Sequence, residues 1–574
     1  MLFSQRQKLH RAVAEWHETA HSADLSPFYQ LLAYHWSKTE DTSRAIYYLE
    51  RSGEQALRTG VYREAINFLS EALKMAEAWE RGESLAGRAR TRSGPEPEEM
   101  LFLRQAAWER QIGEARYGLG QLAESRVYLQ RALTRLGHPL PTTKQQLVLN
   151  LAWEVLRQAV HLVGSVRARG KRPPDSQGIG VTLEAARAYL QLSLIATFYA
   201  EVILAYLAGL RALNLAERGG PTPVLARACA FMSAAATVIT VNTLARTYRR
   251  RAQAVAREVN DLPTAAYVEL MSNQYTISFA RWEKARERYE RALAMCEAVG
   301  DQSNRGLALI SLALACYLQG QFERSAELSV ELYASALHRD HAQHKAWGLL
   351  GQGMSLLRLG KLDQAVHRLE QALPLVVTIS DSLTQMTVHG VLATAYLHQG
   401  RLQEAGQAAS SAARILKTLP TASVYSAFEA YMGVAEVRLA QWEGQLNSAS
   451  SLRPEEAARR LQMEARWACQ SLQRYARAHP FSRPRAWLYQ GLTHWLAGER
   501  AQAQRGWRKS LALARQMAMP YEEGRAQYEI GRHAQGEERR LHLTRAAEIF
   551  KQLGAVYDLE RARLGERAGS KETS

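Results

Sequence analysis

Cysteine is scarce: Cys229, Cys296, Cys316 and Cys469 are the only four in 574 residues, with no Cys-x-x-Cys pair and no close, even spacing. That excludes a disulfide-stapled scaffold and fits a reducing, cytoplasmic compartment. Long apolar runs are missing too. Arg6, Lys8 and Arg11 near the N-terminus are not followed by the apolar segment that a secretory signal requires. The stretch from Ala228 to Ala245 is uncharged over 18 residues, but Ser233, Thr237, Thr240, Asn242 and Thr243 interrupt it. It reads as buried helix rather than a membrane span. Signatures of catalysis are also absent. A phosphate-cradling loop needs G-x-x-x-x-G-K-[ST]; Gly360-Lys361-Leu362 comes nearest, yet places Leu where a hydroxyl must meet Mg²⁺. Neither a G-x-S-x-G elbow nor an H-E-x-x-H helix occurs. The chain is therefore expected to be no enzyme and to hold no cofactor.

Acidic residues are outnumbered, 56 against 73 basic ones, giving a net charge of +17. Only 12 of the basic residues are Lys. The Arg clusters at 249–251, at 167–172 and at Arg88, Arg90 and Arg92 lack the interleaved aromatics of a single-strand groove, so solvated helix faces are expected rather than a nucleic-acid site. Hydrophobic content of 47% with 22% charge excludes disorder as the ground state.

What is present is a period of 40. Small residues recur at Ala205, Ala245, Ala285, Ser325, Ala365 and Ala405, and seven residues later at Ala212, Ala252, Ala292, Ala372 and Ala412, with Leu332 the exception. Five residues before the first set stand Ala200, Thr240, Ala280, Gly320, Gly360 and Gly400, where a turn between two helices belongs. Twelve before, Ser193, Ser233, Asn273, Ala313, Gly353 and Ala393 are small enough for a second helix to approach. This register resembles that of tetratricopeptide (TPR) repeats and marks a solenoid. The expected fold is all-α, a TPR-type α-solenoid forming a right-handed superhelix of antiparallel helix pairs.

The register divides the chain. Residues 1–44 are helical but out of step, and 45–79 hold a first TPR with Gly53, Gly60, Ala65 and Ala72. An Arg-, Gly-, Pro- and Glu-rich linker is expected at 80–99, TPR-like helices at 100–168 and a loop at 169–181. Six 40-residue units occupy 182–419. Further units fill 420–520 with a polar insertion at 441–454, and capping helices close the stack at 521–568.

TPR solenoids bind along the inner wall made by the first helix, A, of each pair. Positions 2, 5, 9 and 12 of these helices are mostly apolar here and lack the Lys and Asn that clamp a terminal carboxylate. An apolar helix, a neighbouring domain or a small-molecule inducer fits better. The residues expected to make contact are Arg187, Arg227, Tyr267, Gln274, Trp347, Met354, Arg358 and His398. One cluster could suggest a metal: His338, His341 and His344 at i, i+3 and i+6. It falls between two repeats, where polar turns are ordinary, and no metal is expected.

Three stretches carry a finer resemblance: Gln5-Arg-Gln-Lys-Leu9-His10-Arg-Ala-Val13-Ala14, Pro27-Phe-Tyr-Gln-Leu31-Leu-Ala-Tyr-His35-Trp36, and Ala45-Ile-Tyr-Tyr48-Leu49-Glu-Arg-Ser-Gly53. They resemble the junction where a winged-helix segment passes into TPR repeats in bacterial signalling ATPases of the STAND type. The stretch Ala546-Ala-Glu-Ile-Phe550-Lys-Gln-Leu553-Gly554-Ala555 resembles their closing helix. In that family the TPR arm follows an ATPase module, often linked to a cyclase or kinase domain. The resemblance implies a cytoplasmic sensor arm whose partner is a protein or the neighbouring ATPase or output domain; no membrane partner is expected, and a nucleic-acid-binding regulator is the least favoured of the readings. A stand-alone TPR adaptor is the alternative.

Overall fold

The computed structural model describes residues 3–81, 98–164, 176–419, 424–447 and 455–571. Most of the expected linker at 80–99 and part of the loop at 169–181 lie outside the described residues. A helix already begins at Ser176. Of the expected insertion at 441–454, residues 441–447 continue the helix Phe428–Asn447, and the rest lies outside the described residues.

Among the described residues the regular structure is entirely helical. After Phe3–Ala20 and Tyr29–Ser37, helices pair as Thr42–Arg58 with Tyr62–Glu80 and Glu98–Gly118 with Leu122–Arg135. Lys144–Gly164 stands outside the pairing rhythm. The central A helices are Ser176–Phe198, Pro223–Val238, Leu262–Ser278, Gln302–Leu318, Ala342–Arg358 and Ser382–His398. Their B partners are Val202–Ala216, Asn242–Val259, Trp282–Val299, Phe322–His338, Leu362–Thr378 and Leu402–Leu416. Phe428–Asn447 with Glu455–Ala478, Arg483–Leu496 with Arg500–Gln516, and Pro520–His533 with Gly536–Gln552 continue the series, and Val556–Lys571 ends it. The fold is thus an all-α, TPR-type α-solenoid.

The backbone keeps a stricter period than the side chains. Positive φ occurs at every twentieth residue from 200 to 400: Ala200, Gly220, Thr240, Asn260, Ala280, Gly300, Gly320, Asp340, Gly360, Ser380 and Gly400. At each turn inside a repeat the same two bonds close the A helix. At Ala280 they are Ala280 N–H to Ile277 O at 3.0 Å and Arg281 N–H to Thr276 O at 3.2 Å. Tertiary packing holds non-glycine residues in a left-handed conformation that sterics disfavour.

The small residues act as expected. Ala245, Ala285, Ala365 and Ala405 are fully buried at the helix crossings. In two repeats the small polar residue of helix A ties down helix B: Ser233 Oγ donates to Ala245 O at 2.9 Å, and Asn273 Nδ2 to Ala285 O at 2.7 Å. Where it carries Gly353, a Cβ would stand 2.6 Å from Leu369 Cγ.

The chain divides into two compact units. The first comprises residues 1–195, 203–228 and 296–303, and the second 196–202, 229–295 and 304–574. Within the second, one continuous apolar core runs from Leu270 to Ala562. No described helix is long and apolar enough to cross a membrane.

Candidate functional site

In the second unit, charged and phenolic side chains from several A helices converge in the interior. Arg358 is the last residue of Ala342–Arg358. Its Nε donates to Tyr317 Oη at 2.7 Å, Nη1 to Tyr521 Oη at 3.1 Å and Nη2 to Glu429 Oε1 at 2.7 Å. Tyr317 donates to the same Glu429 oxygen at 2.6 Å, and Tyr521 to Asp558 Oδ2 at 2.8 Å. Arg485 grips Glu522 through two bonds of 2.8 Å and reaches Tyr489 Oη at 3.1 Å. Arg525 donates to Glu436 Oε1 at 2.8 Å. His398 Nε2 lies 3.9 Å from that oxygen, and its ring stacks on Tyr557 at 4.0 Å.

All of these charged groups are buried. Burial alone disfavours the charges of Arg358, Arg525 and Glu436; their partners outweigh it. Burial opposes the Arg358 charge, but Glu429 and the phenols of Tyr317 and Tyr521 outweigh it and hold the guanidinium well above its ordinary range. Burial likewise pushes the Glu436 carboxyl up, while Arg525 and His398 bring it well below the usual carboxylate range. His398 is lowered, by burial, against the pull of Glu436. Glu429 Oε2 and Arg525 Nε have no hydrogen-bond partner among the described residues, so the network is paired in charge but not saturated. Removing one member would strand a buried charge.

The predicted contact residues fall into three environments. Arg187 is exposed and bonded to Glu184 at 2.8 Å, and Arg227 is half-buried; both belong to the first unit. In the second unit Gln274 is half-buried and Tyr267 buried. Trp347 and Met354 are buried in the core, the indole donating to Thr384 Oγ1 at 3.0 Å and stacking on His344 at 5.1 Å. Arg358 and His398 enter the ionic network. Apolar positions read as wall, such as Leu270, Leu314, Leu350 and Leu357, pack inside the unit.

The histidine cluster is a helix cap. His341 Nδ1 accepts the backbone N–H of His344 at 3.2 Å, and the two buried rings stack at 3.8 Å, while His338 is exposed at the end of the preceding helix. Burial pushes His341 down to about 3 and His344 well below its ordinary value. Among the described residues no group of three or more His, Cys, Asp or Glu could hold a metal ion.

Sequence reasoning missed Glu429, Glu436, Arg485, Glu522, Arg525 and Asp558. The available signal was acidic residues a heptad apart on A helices, Glu429 with Glu436 and Glu522 with Glu529. Pairing across 71 and 89 residues, Arg358 with Glu429 and Arg525 with Glu436, has no local signature.

No protein-family model matches the chain, and no curated protein does. Among solved structures it is similar to a Rap protein complexed with competence and sporulation factor, at 12% identity and a TM-score of 0.44, covering 68% of this chain and 99% of that one. A STAND protein with a tetratricopeptide repeat sensor from Pyrococcus horikoshii shares 13% identity at a TM-score of 0.34, over 67% of this chain and 50% of that one. Yeast Tom70 shares 11% at 0.31, over 96% and 94%. The chain thus spans half the length of the STAND protein. These scores are too low to bear on function, and the fold rests on the helices themselves.

Proposed function

We propose that this chain is a protein-interaction repeat that acts as the sensor and regulatory arm of a signalling ATPase, cyclase- or kinase-linked, and that a protein segment or inducer engages the inner faces of its A helices. The observation that carries the reading is the buried network around Arg358, Arg485 and Arg525, which ties A helices that are distant in sequence to one another. Apolar side chains of similar volume would pack there at least as stably, so the charges are better understood as fixing one arrangement of the helices. A ligand that prefers another arrangement shifts the balance by its differential affinity alone. Arg187, Arg227 and Gln274 are the expected points of first contact, since part of each side chain is accessible; Trp347, Met354, Arg358 and His398 take part only as the helices part. The ATPase link is supported by the N-terminal stretches from Gln5 to Gly53.

A photo-reactive amino acid placed singly at Arg187, Arg227 and Gln274, with half-buried Arg368 on a B helix as control, tests this in cells. Cross-links from the inner positions to one discrete protein, absent from the control, are expected. A captured or contiguous protein carrying G-x-x-x-x-G-K-[ST] supports the ATPase arm, and one without it supports a stand-alone adaptor. Cross-links from Arg368 alone would overturn the inner-face assignment.

A further inference from the structure

The helix Lys144–Gly164 is mounted inside out. Its polar stripe faces the protein: Asn150 accepts from Arg211, Glu154 accepts from Asn214 Nδ2 at 2.7 Å and lies 3.4 Å from Arg211 Nε, and Gln158 and His161 meet Glu217. Glu154 and Gln158 are buried; Arg211 and Asn214 come from Val202–Ala216 and Glu217 from the turn that follows it, in the same unit. The apolar stripe faces outward. Leu149 is 69% exposed, Trp153 64%, Leu156 58% and Val160 61%, with Val148 and Val155 half-exposed beside them. An ordinary solenoid helix does the reverse.

Spacing and area narrow the occupant. Leu149, Trp153, Leu156 and Val160 follow one another at intervals of four, three and four residues, the seam of a coiled coil. That spacing reads the same in both directions, so the face is complementary to itself in either orientation. No charged residue interrupts it: Glu154 is buried, Arg157 is half-buried, and Lys144 stands at the far end. Side chains of these sizes at these exposures present on the order of 600 Å² of apolar surface, at the upper limit for a monomer. Two copies face to face would bury about 1,200 Å², the lower bound of a stable interface. The two undescribed segments on either side of this part of the chain are too poor in large apolar residues to cover it. Residues 82–97 offer only Leu85 and a few small residues, and 165–175 only Val166 and Ala168.

We infer that the occupant is a second copy of this chain, and that the protein is a homodimer joined through Lys144–Gly164 packed on its own counterpart. The interface is helix against helix, isologous, with Trp153 and Leu156 at its centre. It is independent of the inner-face reading above, since it uses the outer face of a helix outside the repeat register.

Sedimentation equilibrium of the full chain from 1 to 100 μM tests it, alongside Trp153→Glu/Leu156→Glu, two changes confined to exposed positions. The wild type is expected at twice 64.4 kDa and the double variant at 64.4 kDa, with the same far-ultraviolet melting curve. Leu149→Glu/Val160→Glu provides a second break of the seam should the first variant fail to fold. A wild type monomeric throughout would overturn the proposal, as would a dimer that survives a folded seam variant. A wild-type monomer that floats with phosphatidylserine vesicles would assign the face to a membrane surface instead.

Discussion

At single residues the fold holds conformations that the side chains themselves resist. Ala200, Thr240 and Ala280 sit at positive φ because the 20-residue rhythm puts the turn there, not because the residue favours it. The left-handed region costs an L-residue roughly 1–2 kcal/mol, and Gly gives back about 0.5–1 kcal/mol in chain entropy. Thr240→Gly, at an exposed β-branched site, is therefore expected to stabilise the protein by about 0.5–1 kcal/mol in urea titration, and Ala280→Gly by a similar amount. The buried imidazoles act in the opposite direction. His341 titrates at about 3 and His344 is also depressed, both by burial, so the unfolded chain binds protons that the folded chain refuses. Their contribution is intact above the ordinary histidine value of 6.5 and is lost as pH falls below it, for His341 toward about 3. Each costs up to about 1.4 kcal/mol per pH unit in that window. His344→Phe, which keeps a ring on His341 and Trp347, is expected to flatten the fall of melting temperature between pH 6 and 4.

At the scale of the helix pair, close approach is set by residues of matched register. Gly353 faces Leu369 as Gly53 faces Leu69, sixteen residues on in each case. Two effects compete in Gly353→Ala: helix propensity favours Ala by about 1 kcal/mol, and overpacking costs about 1–3 kcal/mol. Leu369 is fully buried, so it has little room to yield and overpacking wins. A net loss of about 1 kcal/mol is expected by urea titration, against a gain at an exposed helical glycine. This level of the structure was legible in the sequence. The turn at Thr240 and the crossings at Ala245 and Ala252 follow from spacing alone, because period and side-chain size are local properties. The pairing of A helices through Arg358, Glu429, Glu436 and Arg525 was not, because charges on an apolar helix do not name their partners. For the same reason Trp347 and Met354 read as binding-wall residues although they pack in the core; an A-helix position looks alike whether it faces a ligand or another A helix. The outward face of Lys144–Gly164 escaped because amphipathicity gives two faces without saying which one is docked.

At the scale of the second unit, the network makes distant helices answer to one another. Glu436 and Arg525 lie on Phe428–Asn447 and Pro520–His533, 89 residues apart, and Glu529, held down at about 2 with Arg532 outweighing its burial, adds charge to the same helix. The carboxylates contribute stability above the ordinary carboxyl value of 4.5 and lose it as pH falls toward 2, so acid should loosen these helices after the histidines have begun to charge. Breaking one buried pair by removing a single partner typically costs about 3–5 kcal/mol. Arg525→Met is accordingly expected to lower the midpoint of unfolding more than any surface Arg→Met change.

Whether the buried charges couple the A helices is decided by hydrogen exchange on the full chain with and without Glu436→Gln. In the variant Phe428–Asn447 and Pro520–His533 are expected to lose protection together, along with His398 at the end of Ser382–His398, while the register turns at Gly320 and Gly360 stay unchanged. Faster exchange confined to Phe428–Asn447 would contradict it, and the network would then be a local contact with no bearing on how the helices are arranged.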